Sequence, residues 1–187
     1  MRFIGALMAL TVLLAVSGVE AATPGDSLYQ LDITLTSQGN RASKLDLYRG
    51  QPALVTMFYG SCSSVCPLLI ERLKSAEALL DADERDRLRV LLVSIDPDRD
   101  TPAALAVIAR DHNVDLARWT LARADAADVR KLAAVLNVQY RQLPGGDYNH
   151  STVITLLDPE GRRVATTSRL GGADPEFQQA IRQVLSK

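Results

Sequence analysis

Cys62 and Cys66 are the only cysteines of the chain, and they lie four residues apart in the stretch FYGSCSSVCP, residues 58–67. On a helix, that spacing puts two side chains on one face with Cβ atoms about 5–6 Å apart. A relaxed disulfide wants them about 3.5–4.5 Å apart. A bridge therefore requires Cys62 to lie in the loop ahead of the helix, where Gly60, Ser61, Ser63 and Ser64 offer a pliable lead-in. So small a closed loop removes little chain entropy and makes a poor structural staple. Two thiols at a helix start are instead activated, because the unpaired amides and the positive end of the helix dipole stabilise thiolate. Thiolates exchange disulfides and bind soft metals. Redox motifs of the C-x-x-C kind hold the pair one residue closer, and the upstream proline of a peroxidatic cysteine motif is missing from FYGSCSSVC.

Two sulfurs hold a metal weakly, so a third ligand must be sought among two histidines. His112 lies near the end of the helical stretch VIARDHNVD, where an imidazole favourably meets helix-terminal carbonyls, and it reads as surface structure. His150 stands at the start of the apolar run STVITLLD, residues 151–158, after the loop PGGDYN, whose two glycines permit movement. Pattern alone favours an ordinary polar side chain there over a ligand.

The elements that must position these residues follow from periodicity. SLYQLDITLT, residues 27–36, alternates apolar and polar residues and predicts a half-exposed strand ending in a turn at SQGN. PALVTMFYG, residues 52–60, predicts a buried central strand, and CPLLIERLKSAEALLDAD, residues 66–83, a helix. LRVLLVSID, residues 88–96, predicts a second buried strand. A helix follows over TPAALAVIARDHN, with Asp100 or Thr101 as its cap and Pro102 in its first turn. RWTLAR is a short strand, DAADVRKLAAVLN a helix capped by Asp125, and STVITLLD a strand. PEGRR turns that strand into a hairpin returning as VATTSRL, and DPEFQQAIRQVL is a final helix. This order implies an α/β sheet covered on both faces. Ligands on such sheets gather at the carboxyl ends of strands, where the cysteines fall. In this strand order the start of STVITLLD can come close to them.

Acidic and basic residues are mixed along the chain, 22 against 21 with a net charge of −1, which argues against nucleic acid as a partner. Arg2 is followed by an uncharged run from residue 3 to residue 19 and then by small residues, the pattern of a secretory signal peptide cut after Ala21 or Ala22. The alternative is an uncleaved anchor attached to the membrane through residues 3–19. Residues 1–21 form this leader and residues 22–187 one domain, expected in the periplasm or on the outer face of the cytoplasmic membrane.

FYGSCSSVCPLL, VLLVSIDPDRDTP and DYNHSTVITLLDPEGR, in that order, resemble the motifs of the Sco (SenC) family of copper-binding proteins that assist assembly of cytochrome c oxidase. The three span nearly all of the mature chain. The resemblance implies a thioredoxin-like α/β fold with a central mixed sheet flanked by helices and a C-terminal hairpin and helix. It also implies that Cys62, Cys66 and His150 hold one copper ion. Ser63 stands where many relatives carry proline, which loosens the loop and removes no ligand. Where reductases similar to thioredoxin have a cis-proline, this chain reads His150, Ser151. Two thiolates favour Cu(I), and an added imidazole helps the site tolerate Cu(II). Copper and a Cys62–Cys66 disulfide would compete for the same sulfurs, so reduction by a thiol reductase is a condition of loading.

Three functions are compatible with this resemblance. The first is a copper carrier that delivers metal to, or prepares, the binuclear copper centre of the receiving oxidase subunit. The second is a thiol-disulfide reductase of that subunit, with Cys62 and Cys66 as redox pair and no need of His150. The third is a copper-dependent redox sensor. In SIDPDRDTP, strand ending and helix capping explain most of the pattern, and Asp96 is the residue there with a claim on the site. Trp119 and Tyr148 are candidates to line an approach surface, with core packing favoured for Trp119.

Overall fold

The computed structural model describes residues 25–61 and 65–187, apart from the side chains of Val65 and Cys66. The leader lies outside the described residues. Among the described residues no helix is long and apolar enough to cross a membrane.

Continuous apolar runs make the centre of the sheet. Strand β3 (Ala53–Phe58) is buried at every position, and β4 (Arg89–Ser94) at every position after Arg89, which requires cover on both faces. β5 (Trp119–Arg123) extends this parallel core beyond β4. The antiparallel hairpin β1 (Thr34–Ser37) and β2 (Ala42–Lys44) adds to β5. On the other side, β8 (Ile154–Leu157) pairs antiparallel with β3 and β9 (Arg163–Thr167) with β8. The resulting seven-stranded order is β2-β1-β5-β4-β3-β8-β9. A separate antiparallel ribbon is made of β6 (Tyr140–Gln142) and β7 (Tyr148–His150).

The helices are α1 (Val65–Ala78), α2 (Ala82–Arg87), α3 (Pro102–Asp111), α4 (Ala126–Leu136) and α5 (Pro175–Leu185). Their ends are written locally. The Thr101 hydroxyl accepts from the Ala104 amide and Pro102 opens α3, so Thr101, not Asp100, is the cap. Asp125 caps α4, which ends at Asn137 in the left-handed region at φ 57°. Trp119 belongs to the core, 1% exposed, and its indole donates to Glu77 of α1.

Four elements differ from the sequence expectation, the first being the short strand β2, which the sequence reading lacks. The expected strand over residues 27–36 is a 3₁₀ turn at Leu28–Gln30 followed by the shorter β1. Tertiary contacts win there: Leu28 N–H donates to the Gly161 carbonyl at 2.8 Å, and Leu28 and Tyr29 are buried. The helix expected over residues 66–83 is two, because the reciprocal cap between Asp81 and Glu84 starts α2 anew. The fourth is the β6–β7 ribbon, likewise absent from the sequence reading.

Candidate metal centre

Topology alone gathers three chain segments at one edge of the sheet. The parallel strands β3 and β4 end side by side, Phe58 opposite Ser94. The antiparallel neighbour β8 begins at that same edge, with Ile154 opposite Thr56. The chain ahead of it is tied down where the Thr56 hydroxyl donates to the Val153 carbonyl at 2.8 Å. The cysteine segment, the DPDRD loop and the His150 segment therefore meet at the carboxyl end of the parallel strands.

Of the cysteine segment, Gly60 and Ser61 lead out of β3 and α1 begins at Val65. Cys62 lies outside the described residues. Cys66 belongs to the first turn of α1, and its side chain also lies outside them. The lead-in is less pliable at Gly60 than expected. The Gly60 amide donates to the Asp100 carboxylate at 2.9 Å, and the Ser94 hydroxyl donates to the same oxygen. A Cβ at residue 60 would collide with that carboxylate and stand 2.8 Å from Ile108 Cδ1, so only glycine fits. Asp100 is buried, and burial pushes its carboxyl pKa up against the opposing effect of the Ser94 and Gly60 bonds.

His150 is the last residue of β7, not the first of the following strand, which starts only at Ile154. Its ring meets the Tyr59 ring edge-on at 5.6 Å, and Tyr59 is three residues ahead of Cys62. The Tyr59 hydroxyl donates to the Tyr148 carbonyl at 3.2 Å and its ring lies 5.5 Å from that of Tyr148. Tyr148, the candidate for an approach surface, thus packs on Tyr59 beside the candidate centre. His150 Nδ1 lies 3.1 Å from the Ser151 carbonyl. A carbonyl only accepts, so Nδ1 carries the proton and Nε2 the lone pair. Nε2 is buried and has no hydrogen-bond partner among the described residues. Burial draws the His150 pKa down, with the Ser151 bond opposing, so the ring is held neutral. A neutral imidazole with its tautomer fixed by a carbonyl and an unsatisfied buried nitrogen suits a metal ligand.

His112 is the C-terminal cap of α3, where its carbonyl accepts from Lys74 at 3.0 Å, a structural place as expected. Asp96 is buried and holds Arg99 in an ion pair. Asp100, one of the two caps the sequence offered for α3, is instead the residue of this loop bonded to the cysteine side. Sequence reasoning missed that role because an aspartate offered as a helix cap already has a local explanation. Among the described residues no three histidine, cysteine or acidic side chains stand together as a metal cage.

The SCO1/SenC family model matches residues 21–186. The mitochondrial SCO2 homolog of Danio rerio is 29% identical over 154 residues, 79% of this chain and 53% of that protein. The chain thus spans about half the length of the relatives it matches. Copper-bound ScoI of Bradyrhizobium japonicum superposes with a TM-score of 0.69 at 24% identity, covering 81% of this chain and 96% of that one. Copper-bound Sco1 of yeast gives 0.70 at 20% identity, covering 83% and 87%. These likenesses carry the fold, which is thioredoxin-like as the motifs implied. The matched stretch takes in every strand and helix described above, and the chain belongs to the SCO1/SenC family.

Proposed function

We propose that this chain is a copper-binding protein of cytochrome c oxidase assembly. In this reading residues 1–21 export it, and residues 22–187 work outside the cytoplasmic membrane. Copper is cargo held by Cys62, Cys66 and His150, then passed to the binuclear copper centre of the oxidase or used to prepare it. The observation that carries this reading is the buried, unpartnered Nε2 of His150 beside Tyr59, at the strand exit that leads to the cysteines. Family membership and the copper held by the proteins from Bradyrhizobium japonicum and yeast support it. Two thiolates and one imidazole suit copper in both oxidation states, and a neutral ring needs no proton removed before it binds.

Titration of the reduced protein tests the reading. Uptake of about one copper ion per chain is expected, with sulfur and nitrogen signatures for Cu(II), and prior oxidation to the Cys62–Cys66 disulfide abolishes it. H150A is expected to lose the nitrogen signature and to fail in oxidase assembly. Full assembly with H150A would sink the carrier and leave a dithiol reductase of the oxidase subunit.

A further inference from the structure

The loop between β4 and α3 grips both sides of the candidate centre with neighbouring residues. Asp100 holds the exit of β3 through Gly60 and Ser94. Arg99 reaches the other way: its Nε donates to the Asp96 carboxylate and its Nη2 to the Gly146 carbonyl in the turn of the β6–β7 ribbon. The anchor end is firm, because Asp96 is only 3% exposed and its own amide donates to the Ser94 hydroxyl at 2.9 Å. The far end is shaped to receive the guanidinium. Gly146 sits at φ 92°, and a Cβ there would lie 3.4 Å from Arg99 Nη1. Two acceptors in different directions call for the planar fork of arginine, which an ammonium does not reproduce. The ribbon so held pairs Tyr140 with His150, Arg141 with Asn149 and Gln142 with Tyr148. Gly146 and His150 therefore lie at opposite ends of one short, stiffly hydrogen-bonded unit.

We infer that Arg99 is a positioning residue: a strap from the buried Asp96 to the ribbon turn that sets where the ribbon presents the His150 ring. The consequence for copper rests on the proposed ligand role of His150, whereas the strap itself does not. Loss of the strap lets the ribbon swing while the cysteine side stays fixed by Asp100, so Cu(II), which needs the imidazole, suffers more than Cu(I) on the thiolates.

The test begins with copper-free protein. Amide exchange is followed at Leu143, Gly146 and Ser151, which donate within the ribbon to the carbonyls of Asp147, Leu143 and Gln139. R99A is expected to speed exchange at these sites about tenfold, and to leave the amides of β3 and β4 unchanged. R99K recovers part of the protection and shifts the His150 ring resonances less than R99A. Unchanged ribbon exchange in R99A, or equal acceleration in ribbon and sheet, would overturn the inference. Should R99A not fold, D96A, which leaves Arg99 in place but removes its anchoring acceptor, is expected to speed exchange in the ribbon alone, and unchanged exchange there is equally fatal. Copper is then added. A weakened Cu(II) nitrogen signature with unaltered Cu(I) uptake in R99A supports strap and ligand together. A loosened ribbon with a copper spectrum identical to wild type upholds the strap and overturns His150 as ligand.

Discussion

The seven-stranded sheet and the β6–β7 ribbon are held by different means. β3 and β4 are buried almost throughout and paired on both sides. The ribbon has no fully buried position in either strand and, among the described residues, no third strand beside it. Two strands alone are marginal in water, so the ribbon depends on tethers: the Tyr59 hydroxyl on Tyr148, Arg99 on Gly146, and Ser151 against Gln139 at its base. The exit of β3 toward the cysteines is part of the buried core, while His150 rides on a unit expected to open without unfolding that core. With His150 in its proposed role, a centre divided in this way would gain or lose one ligand at far smaller cost than its full dismantling.

The comparison breaks most sharply in the core. Phe58 closes β3 opposite Ser94 and is fully buried, so F58A is expected to cost about 3–5 kcal/mol in chemical denaturation. Y148A, in the half-buried ribbon, is expected to cost under about 1 kcal/mol of global stability while speeding ribbon exchange. Equal costs would mean that ribbon and sheet fold as one unit. D100A comes next. It leaves the Gly60 amide and the Ser94 hydroxyl without their acceptor, for about 2–3 kcal/mol, with D100N intermediate because it keeps one acceptor oxygen. Its exchange signature should appear at Gly60 and the end of β3, the mirror image of R99A.

The sheet was legible because its signals are redundant. Apolar runs of strand length, caps at Thr101 and Asp125, and the PEGRR turn each point to the same element order. The ribbon was not, since Tyr140–Gln142 and Tyr148–His150 are three residues each and carry no alternation long enough to read. Its glycines were read as freedom, although Gly146 is where a guanidinium meets the backbone. His150 was picked out by elimination and by resemblance, and its unpartnered nitrogen is visible only in three dimensions. Asp100 and Arg99 were hidden for a related reason: DPDRDTP already makes sense as strand stop and helix start. Local sense masks a long-range job.

The smallest expected effect sharpens the comparison from the sheet side alone. Asp174 caps α5 and accepts from the Thr167 hydroxyl of β9 at 2.6 Å. That bond, helped by the Phe177 amide and opposed by slight burial, holds its pKa below the usual aspartate value. A depressed folded-state pKa contributes stability above the unfolded value of about 4, and the contribution is lost as pH falls through the lower folded value. At neutral pH, D174A should cost about 1 kcal/mol, and D174N less, because asparagine keeps the capping oxygen but not the second oxygen, which accepts from the Thr167 hydroxyl. As pH falls below about 4, the advantage of wild type over D174A shrinks, whereas that of D174N, which does not titrate, persists. Urea midpoints of the three proteins across that range check the sign. Amide exchange in the ribbon is expected to be alike in all three, because Asp174 touches α5 and β9, and a ribbon that loosened with D174A would show the two regions to be coupled.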